Sequence, residues 1–215
     1  MHQVAIEAIQ AIRKKLGDEL IILAHHYQRP EITALADRLG DSYELAKAAR
    51  DATAAKYIVF CGVRFMAEAA EVLRRPEQRV YHPEISAGCP LADFADPAPV
   101  AAAWTQIEQA RGAEKVMPLV DMNRAAERKA FVGKNGGSVC TSSNAARAFE
   151  WALKEREALF FLPDEHLGRN TVAQMGIPPE EVVLWDPVSP EGGVEPERLR
   201  QAKVILCKGY CHVHT

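Results

Sequence analysis

His25, His26, Tyr27 and Gln28 follow directly on Leu20–Ala24 (LIILA), a short unbroken apolar run. A run of this kind reads as a strand buried on both faces. In open α/β sheets ligands bind beyond the carboxyl ends of such strands, which is where these polar rings fall. Two imidazoles and a phenol side by side can move protons near neutral pH. Any one of the histidines is equally well explained as a hydrogen-bonded structural residue; the group of three is what points to function. Asp121-Met122-Asn123-Arg124 follows a second run, VMPLV at 116–120. It reads either as a surface ion pair with a turn residue or as a ligand-contacting loop. Thr141-Ser142-Ser143-Asn144 follows SVC at 138–140 and opens a helical pattern. That is either a helix cap or an anion site, because the free N–H groups and positive dipole end of a helix start suit phosphate or carboxylate. Ser42, next to the cap residue Asp41, carries the same two readings.

The five cysteines are an odd number and cannot all pair. The opening MHQVAIEAIQAIRKK is amphipathic without an apolar signal-peptide core, so a reducing, cytoplasmic setting is expected. Cys61 and Cys140 end strands and read as small core residues. Cys89 lies in the tight loop Ala87-Gly88-Cys89-Pro90, where glycine lets backbone approach a bulky group, and Cys-Pro also occurs at iron–sulfur ligands. Cys211 lies in Cys207-Lys208-Gly209-Tyr210-Cys211-His212-Val213-His214, past a strand and a glycine. Such a run with two histidines is also compatible with zinc. Cys89 and Cys211 are therefore expected to be metal ligands, with zinc and iron–sulfur both open on spacing alone.

These residues need a scaffold of alternating strands and helices. The further apolar runs YIVFC (57–61), ALFFL (158–162), VVLW (182–185) and VILC (204–207) read as buried strands, with RVY (79–81) and SVC (138–140) as shorter ones. Helical patterns lie at the start of the chain up to Gly17, at 41–56 behind a capping box of Asp41 and Glu44, and at 64–75, 99–112 and 142–156. The alternation predicts an α/β fold with parallel sheets covered by helices on both faces, as one sheet of eight strands or two of four. Hydrophobic residues make up 48% of the 215, enough for a sizeable core, and the net charge of -3 argues against nucleic acid as the partner. No run reaches membrane-spanning length.

As an ordered set, ILAHHYQ (22–28), LADRLGDSYELAK (35–47), CGVRFMAEAA (61–70), PEISAGCPLAD (83–93), DMNRAAERKAF (121–131), GGSVCTSSNA (136–145), FLPDEHLGRN (161–170) and KGYCHVH (208–214) resemble the quinolinate synthases, iron–sulfur enzymes of NAD biosynthesis. The resemblance covers nearly the whole chain. It implies repeated three-layer αβα domains with small parallel sheets about a pseudo-threefold axis, here expected as 1–85, 86–175 and the start of a third at 176–215. It implies a [4Fe–4S] cluster with Cys89 and Cys211 as two ligands and the third beyond Thr215. The reaction implied is condensation of iminosuccinate with dihydroxyacetone phosphate to quinolinate, with a functional link to L-aspartate oxidase or aspartate dehydrogenase as source of the imine. By motif match His25 and Ser42 would hold iminosuccinate, Asp121, Met122, Asn123 and Ser142 would contact substrate, and Tyr27 and His214 would transfer protons. The chain departs from the family pattern at Asp121 (tyrosine expected), Arg64 (histidine), Arg124 (a small hydroxyl residue) and Cys207 (tryptophan). Two other readings fit the same residues: a zinc-dependent hydrolase built on His25, His212, His214 and a cysteine, and a truncated, cluster-free module that binds anionic metabolites.

Overall fold

The computed structural model describes residues 2–93 and 97–209. The chain divides into two compact units, residues 1–89 and 90–215. Each is built on an all-parallel sheet with helices on its faces.

The first unit runs α1 (His2–Leu16), a 3-10 turn, β1 (Leu20–His25), the short α2 (Pro30–Thr33), β2 (Arg38–Gly40), α3 (Ser42–Asp51), β3 (Tyr57–Cys61), α4 (Arg64–Leu73) and β4 (Arg79–Tyr81). Its sheet order is β2-β1-β3-β4. Ile22, Leu23 and Ala24 of β1 and Ile58 and Phe60 of β3 are buried, as are Leu45, Ala46 and Ala49 of α3 and Ala67, Ala69 and Ala70 of α4. Alanines along two neighbouring helices let them approach each other and the sheet closely. The amphipathic α1 is different: none of its described side chains is buried. It is held by an ion pair between Arg13 and Asp37. An open apolar groove of about 990 Å³, lined by Ile9, Ile12 and Leu16 with Ile22, Tyr57 and Val59, runs beside it.

The second unit runs α5 (Pro90–Asp93), α6 (Pro97–Arg111), a 3-10 turn, β5 (Val116–Asp121), α7 (Ala126–Lys134), β6 (Ser138–Cys140), α8 (Ala145–Glu155), β7 (Ala158–Leu162), α9 (Glu165–Gln174), β8 (Val182–Trp185), α10 (Pro196–Gln201) and β9 (Val204–Cys207). Its order is β6-β5-β7-β9-β8. Alternate residues of each strand feed separate cores. Val116, Val120, Phe160, Leu162 and Ile205 pack with Trp104 and Ile107 of α6 and Leu199 of α10. Met117, Leu119, Phe161 and Leu206 pack with Phe149 of α8 and Val172 of α9. Burial on both faces is why these strands read as unbroken apolar runs.

The two units repeat one plan. A helix, a 3-10 turn and a strand lead into each sheet (α1–β1, α6–β5), and β2-β1-β3-β4 corresponds to β6-β5-β7-β9. The second unit adds β8 and α10 between α9 and β9. The division falls at 89/90, so the Cys89 loop stays with the first sheet. Within the second sheet β9 pairs with both β7 and β8. The arrangement is two sheets, and β2, unforeseen in the sequence, makes nine strands among the described residues.

Candidate functional site

In the first unit the carboxyl ends of β1 and β2 lie side by side, with His25 in register with Gly40. This brings the 25–27 rings next to Asp41 and Ser42. His25 is 6% exposed, while Tyr27 at 82% is open to solvent. The rings form a compact cluster: His25 stacks on His26 with centroids 4.3 Å apart, and Tyr27 lies 4.6 and 4.4 Å from the two. The Tyr27 N–H donates to His25 Nδ1 at 3.3 Å, and His26 Nδ1 lies 3.1 Å from the Gly40 carbonyl. Burial, and then the neighbouring His26, hold the His25 pKa below its usual value, against an opposite pull from Asp41. His25 is thus a neutral hydrogen-bonding group at neutral pH.

The capping box seen in the sequence forms. Glu44 N–H donates to Asp41 Oδ1 at 2.8 Å and Asp41 N–H donates to Glu44 Oε2 at 3.2 Å. With Asp41 as the cap, the buried Ser42 hydroxyl at the first helical position is not needed for capping.

The loop after β4 carries Cys89, a half-buried free thiol. It is clamped to the loop after β3: His82 Nε2 lies 3.0 Å from the Gly62 carbonyl, and the Arg64 N–H donates to the Ala87 carbonyl at 2.8 Å. Arg64 starts α4 and pairs with Glu68 at 3.6 Å.

In the second unit Asp121 (3% exposed) and Met122 are buried, and Asn123 is half-buried. Asp121 Oδ1 accepts from the Asn123 N–H at 2.8 Å, and the Met122 N–H donates to the Cys140 carbonyl at 2.7 Å. Asp121 therefore shapes the turn that presents Asn123. Arg124, for which a surface ion pair was one of two sequence readings, is 0% exposed. Its guanidinium donates to the Asn123 carbonyl at 2.9 Å and the Pro163 carbonyl at 2.8 Å.

Ser142 is exposed, and the helix it was expected to open begins at Ala145. The Asn144 side chain turns back to accept from the Thr141 N–H at 2.8 Å, so 141–144 is a turn preceding the helix. Cys140 and Cys207 are core thiols, as Cys140 was expected to be. Burial and Asp121 push Cys140 far up. Burial, aided by Asp186 and opposed by Arg124, pushes Cys207 up to about 12. Cys61 is also raised by burial.

Cys211 and His214 lie outside the described residues. Among the described residues no group of three or more His, Cys, Asp or Glu side chains is arranged to hold a metal ion. Cys89, in a loop, is the described thiol whose setting suits a cluster ligand; the three strand-end thiols are held protonated by burial. No helix in the described residues is long and apolar enough to cross a membrane. Sequence reasoning passed over Asp164 and Arg128, both buried. Asp164 carried a usable signal, an aspartate just ahead of a helical pattern; Arg128 carried none.

Comparison with known proteins converges on one family. The family model described as quinolinate synthetase A protein matches residues 7–215. The chain is 55% identical over 209 residues to a quinolinate synthase of Acidobacterium capsulatum, covering 97% of this chain and 56% of that protein. It is 49% identical over 216 residues to one of a Nocardioides species, covering 97% and 55%. It is 48% identical over 206 residues to one of Streptomyces coelicolor, covering 95% and 52%. The chain thus spans about half the length of these relatives. With strand ends that place the shared motifs at the carboxyl edges of two parallel sheets, the chain belongs to the quinolinate synthase family.

Proposed function

We propose that this chain forms part of a quinolinate synthase, which condenses iminosuccinate with dihydroxyacetone phosphate to quinolinate in NAD biosynthesis. The observation that supports this most is the match of the family model across residues 7–215, with its polar motifs at the carboxyl ends of β1 and β5. One substrate is a dicarboxylate and the other a phosphate. Neutral His25 can donate a hydrogen bond to a carboxylate without a charge of its own. Ser42, at the start of α3, lies where N–H groups and the helix dipole favour an anion. In the second unit Asn123 and Ser142 are the exposed or half-exposed members of the proposed contact set, while Asp121 and Met122 support the turn from below. Arg124 beneath Asn123 puts a fixed positive charge near this turn, which offsets the repulsion that Asp121 would exert on an anionic substrate.

Cys89 and Cys211 would hold the cluster together with a cysteine from the part of the family that this chain does not span. Bound there, the cluster would supply an iron with an open coordination position, a Lewis acid suited to dehydration. Tyr27 and His214 are assigned to proton transfer; the exposed Tyr27 phenol stands against His26 and can pass a proton to solvent.

The test is anaerobic reconstitution of the protein extended to the length of its relatives, with quinolinate measured from iminosuccinate generated in place. Brown protein with about four iron and four sulfide per chain, and turnover lost in Cys89→Ala, support the reading. Colourless protein, or stoichiometric zinc retained after anaerobic purification, refutes it.

A further inference from the structure

The turn between β7 and α9 joins two loops that the sequence keeps far apart. Asp164 has φ 149° and ψ 93°, a backbone conformation that side-chain-bearing residues rarely adopt. It is 1% exposed. Its Oδ1 accepts from the His166 and Leu167 N–H groups at 3.0 and 3.1 Å, which caps α9, and its carbonyl accepts from Gly168 at 3.0 Å.

The peptide groups on either side of Asp164 each hold a different loop. In the preceding one, the Pro163 carbonyl accepts from Arg124 at 2.8 Å, in the loop after β5. In the following one, the Glu165 N–H donates to the Gly209 carbonyl at 2.8 Å, in the loop after β9. Peptide groups are planar, so the φ and ψ of the residue between them set their relative orientation. The unusual dihedrals of Asp164 are what allow one turn to reach both loops. β7 is the strand between β5 and β9, so this turn is the short link between their ends.

We propose that Asp164 is a positioning residue, whose strained conformation, locked by its own cap on α9, fixes Lys208–Gly209, just past β9, against the Asp121–Arg124 loop. The inference rests on the reading of those loops as ligand-bearing and substrate-contacting.

The test compares Asp164→Asn, Asp164→Gly and Asp164→Ala in the 215-residue chain without metal. It reads hydrogen exchange at the Glu165 amide and at the other α9 amides, and the global unfolding midpoint. Asparagine keeps the acceptor and shares aspartate's tolerance of positive φ, so it should keep wild-type exchange. Glycine tolerates the conformation but loses the cap. It should lower the midpoint and, with the lock gone, speed Glu165 exchange by less than alanine does. Alanine should speed Glu165 exchange by about tenfold or more, beyond the change at other α9 amides. Uniform loosening of α9 in alanine with no selective change at Glu165, or an asparagine variant as perturbed as alanine, overturns the proposal. If alanine does not fold, glycine decides: a Glu165 amide as protected there as in the parent refutes the positioning role. None of these readouts needs a cluster or turnover, so failure here is distinct from failure of the proposed function.

Discussion

Replacing Arg124 by methionine keeps most of the side chain's bulk and removes its charge and donors. The guanidinium is fully buried and donates to the carbonyls of Asn123 and Pro163 at 2.9 and 2.8 Å. Hydrogen bonds from a charged donor contribute about 1.5–3 kcal/mol each, so the two together are worth about 3–6 kcal/mol. Against this, the variant no longer buries a cation, which relieves a desolvation cost of order a few kcal/mol. The Pro163 carbonyl left behind is buried where water does not readily reach it, and the Asn123 carbonyl is only partly open to water, so the loss should win. We expect a net destabilisation of about 2–4 kcal/mol, seen as a fall of roughly 10 °C in the unfolding midpoint. Arg124→Lys should fall between, because one ammonium cannot match a planar fork directed at two carbonyls. Urea unfolding followed by circular dichroism measures both. A methionine variant within about 0.5 kcal/mol of the parent, the range of ordinary surface changes, would show that the two bonds contribute nothing net and would remove the argument that Arg124 anchors this turn.

Other outcomes follow from single residues. His25 is held below its usual pKa chiefly by burial. The unfolded state therefore binds a proton first as pH falls below about 6.5, and the stability present above that pH is lost on acidification until the folded-state value is reached. His25→Asn should flatten the midpoint's dependence on pH between about 5 and 7; an unchanged slope counts against the assignment. A Cβ at Gly137 would lie 1.9 Å from the main-chain oxygen of Pro118, whereas one at Gly168 would meet the end of the Leu206 side chain at 2.5 Å. Gly137→Ala should cost about 3 kcal/mol or more. Gly168→Ala should cost about 1 kcal/mol or less, since Leu206 can shift and alanine favours the helix; equal losses would refute this distinction. In the native protein at pH 8, Cys140 and Cys207 should resist alkylation while Cys89 reacts, a pattern that peptide mass spectrometry resolves.

Most strands were legible because their runs are buried on both faces, a property visible in local composition. The three-residue β2 was not, since Arg38 and Leu39 are exposed and its pairing with β1 is non-local. The place of VILC at 204–207 is non-local too: the run looks the same whether it lies at a sheet edge or, as here, between β7 and β8. The α3 cap was readable since Asp41 and Glu44 are three residues apart. The α8 start was misread because Asn144 spends its side chain on Thr141, which composition does not reveal. The candidate residues after β1 and β5 were found from polarity at strand ends. What sequence could not supply was depth. Arg124 and Asp121 appear as ordinary surface charges until the strand ends are packed, and the backbone strain at Asp164 leaves no trace in its residue type.

The added β8 in the second unit has a further effect. β4 is a three-residue strand at the edge of its sheet, hydrogen-bonded to β3 alone. Its counterpart β9 is fully buried and bonded on both sides. Edge strands open locally far more often than interior ones. The chain leaving β9 is thus held on a stiffer stem than the chain leaving β4. Hydrogen exchange would therefore reach the Arg79–Tyr81 amides early and the Val204–Cys207 amides late, so the two equivalent strand ends differ in how often they open rather than in where they point.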